Sequence, residues 1–194
     1  MPNHTSNRLT LRGSNAEVAR FRDDNRSEET DEVGFPIPLS FEKLVPTPPE
    51  TLGSNEIKNG SMPDWYEWRV SNWGTKWDAY DFPNDWVNPA PKGRAPTEED
   101  RLNWLHLNWN LEVPNVIGFY TAWSPPVAWL TTVSEKYDLE FMLEYADEGG
   151  GFVGYCIVRG GSVTKDVDLP WDSLDGKELR ESLGYFDYED MEEV

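Results

Sequence analysis

The sequence predicts an α+β domain, an antiparallel sheet with helices packed on one face. Three observations carry this reading. Short stretches of alternating polar and apolar residues recur along the chain. Between them lie stretches of helical spacing, opened by residues that start helices. The last two apolar strands are joined by "EGGG", Glu148 to Gly151, a turn short enough to make them a hairpin.

Asn7 to Gly13 (NRLTLRG) alternates and reads as a strand. Ser14 and Glu17 then fit a capping box, and Ala16, Val18, Ala19 and Phe21 follow, so a helix spans about Asn15 to Asp24. Asn25 to Gly34 is charged and reads as a loop. Phe35 to Glu50 carries five prolines among apolar residues. Proline removes donors and forces extended backbone, so this is a covering segment and not a central strand. Leu52 to Met62 is loop. A helix opens at Pro63 or Asp64 and ends at Gly74, with Trp65, Trp68 and Asn72 on one side. Thr75 to Phe82 alternates like a strand. Pro83 to Val113 reads as an insertion rich in Pro, Asn and Trp, holding a helix capped by Thr97.

Val116 to Ser124 is a strong strand, and the prolines after it open a helix with Val127, Leu130 and Val133 in one stripe beside Trp129 and Tyr137. Leu139 to Asp147 alternates as a half-buried strand, and Gly151 to Gly160 is a more apolar one. A short helix is expected near Asp175 to Leu183. With the insertion set aside, the order is β-α-β-β-α-β plus one strand. That is the split βαβ, ferredoxin-like pattern. The expected organisation is a domain over 1–160 with an insertion at about 83–115, then an acidic C-terminal extension over 161–194.

Four stretches together resemble a known family. They are NRLTLRG after an early histidine, FEKLVPTPPE, NWGTKWDAYDF, and the run from FYTAWSPPVAW through GGGFVGY. They are similar to the YubB-like ferredoxin-like domain family of bacteriophage and plasmid proteins. The pairing of a W-G-T-K-W element with a T-A-W-S-P-P element is the specific part. The resemblance implies the fold and a mobile-element setting. That family has no assigned activity, so no catalytic residue carries over. The insertion and the acidic extension depart from the family pattern.

Charge narrows the function. The chain has 194 residues, 36 acidic and 17 basic, for a net charge of -19. Phosphates need a basic footprint, so direct nucleic-acid binding and an anionic membrane surface are both disfavoured. From Asp138 onward there are 16 acids and 4 bases. Asp187, Glu189, Asp190, Glu192 and Glu193 crowd the last eight residues, with Asp172 and Asp175 upstream. Duplex DNA carries one charge per roughly 1.7 Å, so nineteen charges along one surface would match roughly 30 Å of duplex. The expectation is a non-enzymatic acidic binder in the host-cell cytoplasm. It would imitate nucleic acid and inhibit a host protein with a basic, nucleic-acid-binding surface, a defence factor such as a restriction or CRISPR effector, which makes it of anti-CRISPR or anti-restriction type. A bland reading, in which charge only keeps an accessory structural domain soluble, stands beside it.

Catalytic signals are thin. Of the two histidines, His4 lies near the start and His106 in the insertion, and nothing local places either beside a nucleophile. No cofactor or metal is expected. The lone Cys156 sits in an apolar run and reads as a buried thiol. Asp78 and Asp81 could form a carboxylate pair, but with so many acids the pairing is unspecific. The sharpest local constellation is Lys76 between Trp73 and Trp77, with Trp123 in the echoing T-A-W element. It reads either as a ligand-contacting lysine of a small enzyme or binding domain, or as a lysine covering an aromatic core.

Overall fold

The computed structural model describes residues 3–27, 29–30, 37–53, 62–82 and 115–185. The insertion with its expected helix, half of the Asn25–Gly34 loop, most of the Leu52–Met62 loop, and the acids Asp187, Glu189, Asp190, Glu192 and Glu193 lie outside them.

Strand β1 (His4–Gly13) leads into α1 (Asn15–Asn25). The Ser14 hydroxyl accepts from the Glu17 N–H, the first half of the expected capping box. The second half is missing because the Glu17 carboxylate is drawn elsewhere, to Arg20 at 2.7 Å and the Asp138 N–H at 3.1 Å. The proline-rich segment forms α2 (Phe41–Leu44) and a 3-10 turn (Pro49–Gly53), and it buries Leu39 and Phe41 completely. Helix α3 (Asp64–Trp73) ends on Gly74, whose φ of 85° is the left-handed cap that glycine adopts without cost.

Then come β2 (Val116–Ala122), α4 (Val127–Ser134), β3 (Leu139–Asp147), β4 (Val153–Arg159), β5 (Ser162–Asp168) and α5 (Leu174–Ser182). The sheet order is β2-β1-β3-β4-β5, antiparallel throughout. Strand β1 lies between β2 and β3, so the β2-α4-β3 crossover is split by β1 as the sequence predicts.

The strand expected over Thr75 to Phe82 is not formed. It is reduced to one bridge, Tyr80 to Tyr120, closed by backbone bonds of 3.2 and 2.8 Å on the free side of β2. Two causes limit it. Asp81 has φ 43°, outside the extended region. Asp78 turns its carboxylate to the covering segment, accepting from Ser40 Oγ at 2.7 Å and the Phe41 N–H at 2.6 Å. Asp78 thus holds α2 and forms no pair with Asp81.

Strand alternation separates two faces. Leu9, Leu11, Phe119, Phe141, Leu143, Cys156 and Val158 point to the face covered by α1, α3 and α4, where Phe21, Phe41, Trp73 and Trp129 complete an aromatic core. Burial pushes the Cys156 thiol up to about 12, as expected of a core cysteine. On the opposite face α5 packs a smaller cluster, with Leu183 on Ala146 and Val153, flanked by Trp171 and Leu179. Strand β5 and α5 both lie in the segment read as an extension, and both pack on the sheet. Among the described residues no helix is long and apolar enough to cross a membrane.

Candidate functional site: an aromatic run with two unlike ends

The two Trp-rich motifs meet. The Thr75 hydroxyl donates to the Ala122 carbonyl at 2.9 Å and accepts from its N–H at 3.2 Å. The Ser124 hydroxyl donates to the Gly74 carbonyl. A side chain at Gly74 would press on the Pro125 carbonyl, 3.0 Å from its Cβ position. W-G-T-K-W and T-A-W-S-P-P are therefore two halves of one joint, in which the glycine, threonine and serine have steric and hydrogen-bonding reasons to be there.

Trp73 lies inside this joint. It is fully buried and its indole N–H donates to the Val45 carbonyl at 2.8 Å. Arg69, not Lys76, lies over its ring at 4.6 Å. Lys76 turns the other way. Its Nζ is 4.9 Å from the Trp123 ring centre, 5.1 Å from Trp77 and 6.0 Å from Tyr66. Three rings around one ammonium form a cation–π cage. Trp123 remains 39% exposed and holds φ 73°, uncommon for a bulky residue. Of the sequence-proposed contacts, the structure thus gathers Lys76, Trp77 and Trp123 and sends Trp73 to the core. The ammonium already faces rings of its own chain, which is the geometry of a covering lysine.

The ring contacts continue past Lys76. Trp77 meets Tyr80 edge-on at 5.9 Å, Tyr80 stacks on Tyr120 at 6.3 Å, and His4 meets both tyrosines. His4 Nδ1 is 2.6 Å from the Tyr80 hydroxyl. This second end opens into a cleft of about 320 Å³, lined among the described residues by His4, Asp81, Tyr120, Glu148 and Tyr185. Each comes from a different part of the fold: the start of β1, the strained residue after the bridge, β2, the β3–β4 turn, and the chain after α5.

Hydrogen bonds fix these walls. The Tyr185 hydroxyl donates to the His4 carbonyl at 3.2 Å. The Glu148 side chain accepts from the His4 N–H at 2.7 Å, and the Glu148 N–H donates back to the His4 carbonyl at 3.0 Å. Burial, reinforced by the charges of Asp81 and Glu148, pushes the Tyr80 hydroxyl up to about 12. The same causes raise Tyr120, and burial raises Tyr185. At neutral pH these phenols are protonated donors in a negative field.

Sequence reasoning set His4 aside as a terminal residue and treated Asp81 only as half of a pair. It did not single out Tyr80, Tyr120, Glu148 or Tyr185. The one local signal is in β2, where Gly118, Tyr120 and Ala122 share a face, so Tyr120 stands between two small residues. Among the described residues no group of three or more His, Cys, Asp or Glu has the arrangement to hold a metal ion. Asp172 and Asp175 are both exposed, at the start of α5.

A family model described as a ferredoxin-like domain in Api92-like protein matches residues 106–187. It agrees with the five-stranded antiparallel sheet and identifies a ferredoxin-like domain in this chain. No curated protein and no solved structure matches the chain.

Proposed function

We propose that the protein is a non-enzymatic binder that engages a basic, nucleic-acid-binding protein through its acidic C-terminal third. The observation that carries this is the concentration of charge. Asp166, Asp168, Asp172, Asp175 and Glu178 are exposed on β5 and α5 and on the loop between them. After α5, residues 183–194 carry five further acids and no base. Such a surface attracts a site built for phosphates and repels nucleic acid itself. The resemblance to the YubB-like family supports a phage or plasmid accessory role. In that setting the protein is an inhibitor of the anti-CRISPR or anti-restriction type, and its partner is a host defence factor, a CRISPR or restriction effector, met in the host-cell cytoplasm.

The test is capture of the partner from bacterial lysate, followed by competition with duplex DNA. The reading expects a DNA-binding partner that duplex DNA displaces. Charge reversal of Asp187, Glu189, Asp190, Glu192 and Glu193 should abolish capture and leave the fold intact. Capture that survives reversal would remove the tail from the mechanism.

A further inference from the structure

The cleft at the second end of the aromatic run has, among the described residues, no lysine or arginine in its walls. Two carboxylates, Asp81 and Glu148, share it with His4, Tyr120 and Tyr185. Glu148 spends one oxygen on the His4 N–H. No hydrogen bond or ion pair within the described residues engages the Asp81 carboxylate. Further along the same run, beyond Tyr80 and Trp77, Lys76 shows what such rings do when a cation is at hand.

We infer that this cleft is a binding site for a guanidinium group, the side chain of an arginine carried by the basic partner. The inference rests on the reading above, which supplies the partner, and adds the place where it docks. A guanidinium is flat, weakly hydrated and forked. It can stack on a tyrosine face while its N–H groups reach a carboxylate, which an ammonium does less well. A volume of about 320 Å³ admits one such head group with part of its stem. The raised hydroxyls of Tyr120 and Tyr185 fit this use, since protonated phenols add no charge of their own and leave the carboxylates to face the cation. Asp81 at φ 43° is held in a strained conformation beside the cleft, the kind of local cost that binding sites commonly retain.

The test is a titration of the full chain with a short arginine-bearing peptide, followed by amide NMR. The comparison ligand is the same peptide with citrulline, which keeps the shape and loses the charge. Shifts are expected at Asp81, Tyr120, Glu148 and Tyr185, with affinity at least tenfold weaker for citrulline. Asp81→Asn and Tyr120→Leu should each weaken arginine binding about tenfold while spectra elsewhere stay unchanged. Free arginine serves as a further arm and should bind more weakly than the peptide; equal affinity would overturn the partner as the source. No binding, equal affinity for citrulline, or shifts confined to the Lys76 cage would overturn the site. Charge reversal of the five tail acids should leave this titration unchanged. Failure of the cleft is therefore separable from failure of the acidic-surface reading, which the capture experiment decides.

Discussion

The two ends of the aromatic run use the same side chains to opposite effect. Around Trp123 the rings enclose Lys76, a cation from the turn after α3. Around Tyr120 the rings adjoin Asp81 and Glu148, and no described lysine or arginine lines the space. At the first end the cation that the rings face belongs to the chain itself. The second carries negative charge against aromatic faces, so an outside cation gains there what Lys76 already has. Tryptophan density is therefore a poor guide to function in this molecule. The position of the nearest cation is a better one.

The largest expected effect tests the structural half of that contrast. Trp73→Ala removes a fully buried indole and its bond to Val45, and should cost about 3–5 kcal/mol in urea unfolding. A loss below about 1 kcal/mol would mean that the joint between the two Trp motifs does not depend on its core.

Alkaline pH probes the negative end. Cys156, from an ordinary 9.0, and Tyr80, from 10.0, are both pushed up to about 12 by burial. The folded state therefore keeps protons that the unfolded chain gives up from about pH 9. The folded state binds more protons, so stability is full below pH 9 and falls as pH rises toward 12. Asp81→Asn should shrink this fall, because the Asp81 charge is part of what raises Tyr80 and Tyr120. Denaturant melts at pH 8 and pH 11 measure it, and a flat profile would contradict the assignment of these groups to buried sites.

The smallest effect sharpens the contrast. Lys76→Met leaves the rings in place and deletes the ammonium, so it should cost roughly 0.5–1 kcal/mol. It should not alter arginine-peptide binding at the cleft. A loss of several kcal/mol, or loss of peptide binding, would show that the two ends are one site.

Much of this fold is legible in the sequence. The helix from Asp64 to Gly74, the strand-helix-strand run from Val116 to Asp147 and the burial of Cys156 follow from periodicity, caps and apolar runs that local chemistry writes plainly. The failures have tertiary causes. Strand β5 carries Lys165, Asp166 and Asp168 at a sheet edge, so its apolar signal is weak. The strand expected over Thr75 to Phe82 yields to Asp78, whose carboxylate goes to Ser40 and Phe41. The cleft was the least legible part. Positions 4, 81, 120, 148 and 185 have no common spacing, and the sheet register, the Tyr80–Tyr120 bridge and the ties of Glu148 and Tyr185 to His4 bring them together.

The central claim is that a carboxylate of the cleft meets a guanidinium, and a double-mutant cycle tests it most directly. Arginine and citrulline peptides would be titrated calorimetrically into the native chain and into Asp81→Asn. The account predicts strong coupling: citrulline weakens binding to the native chain at least tenfold, and hardly weakens binding to the variant. Strictly additive losses would contradict it, because the charge on the peptide and the charge on Asp81 would then not be in contact.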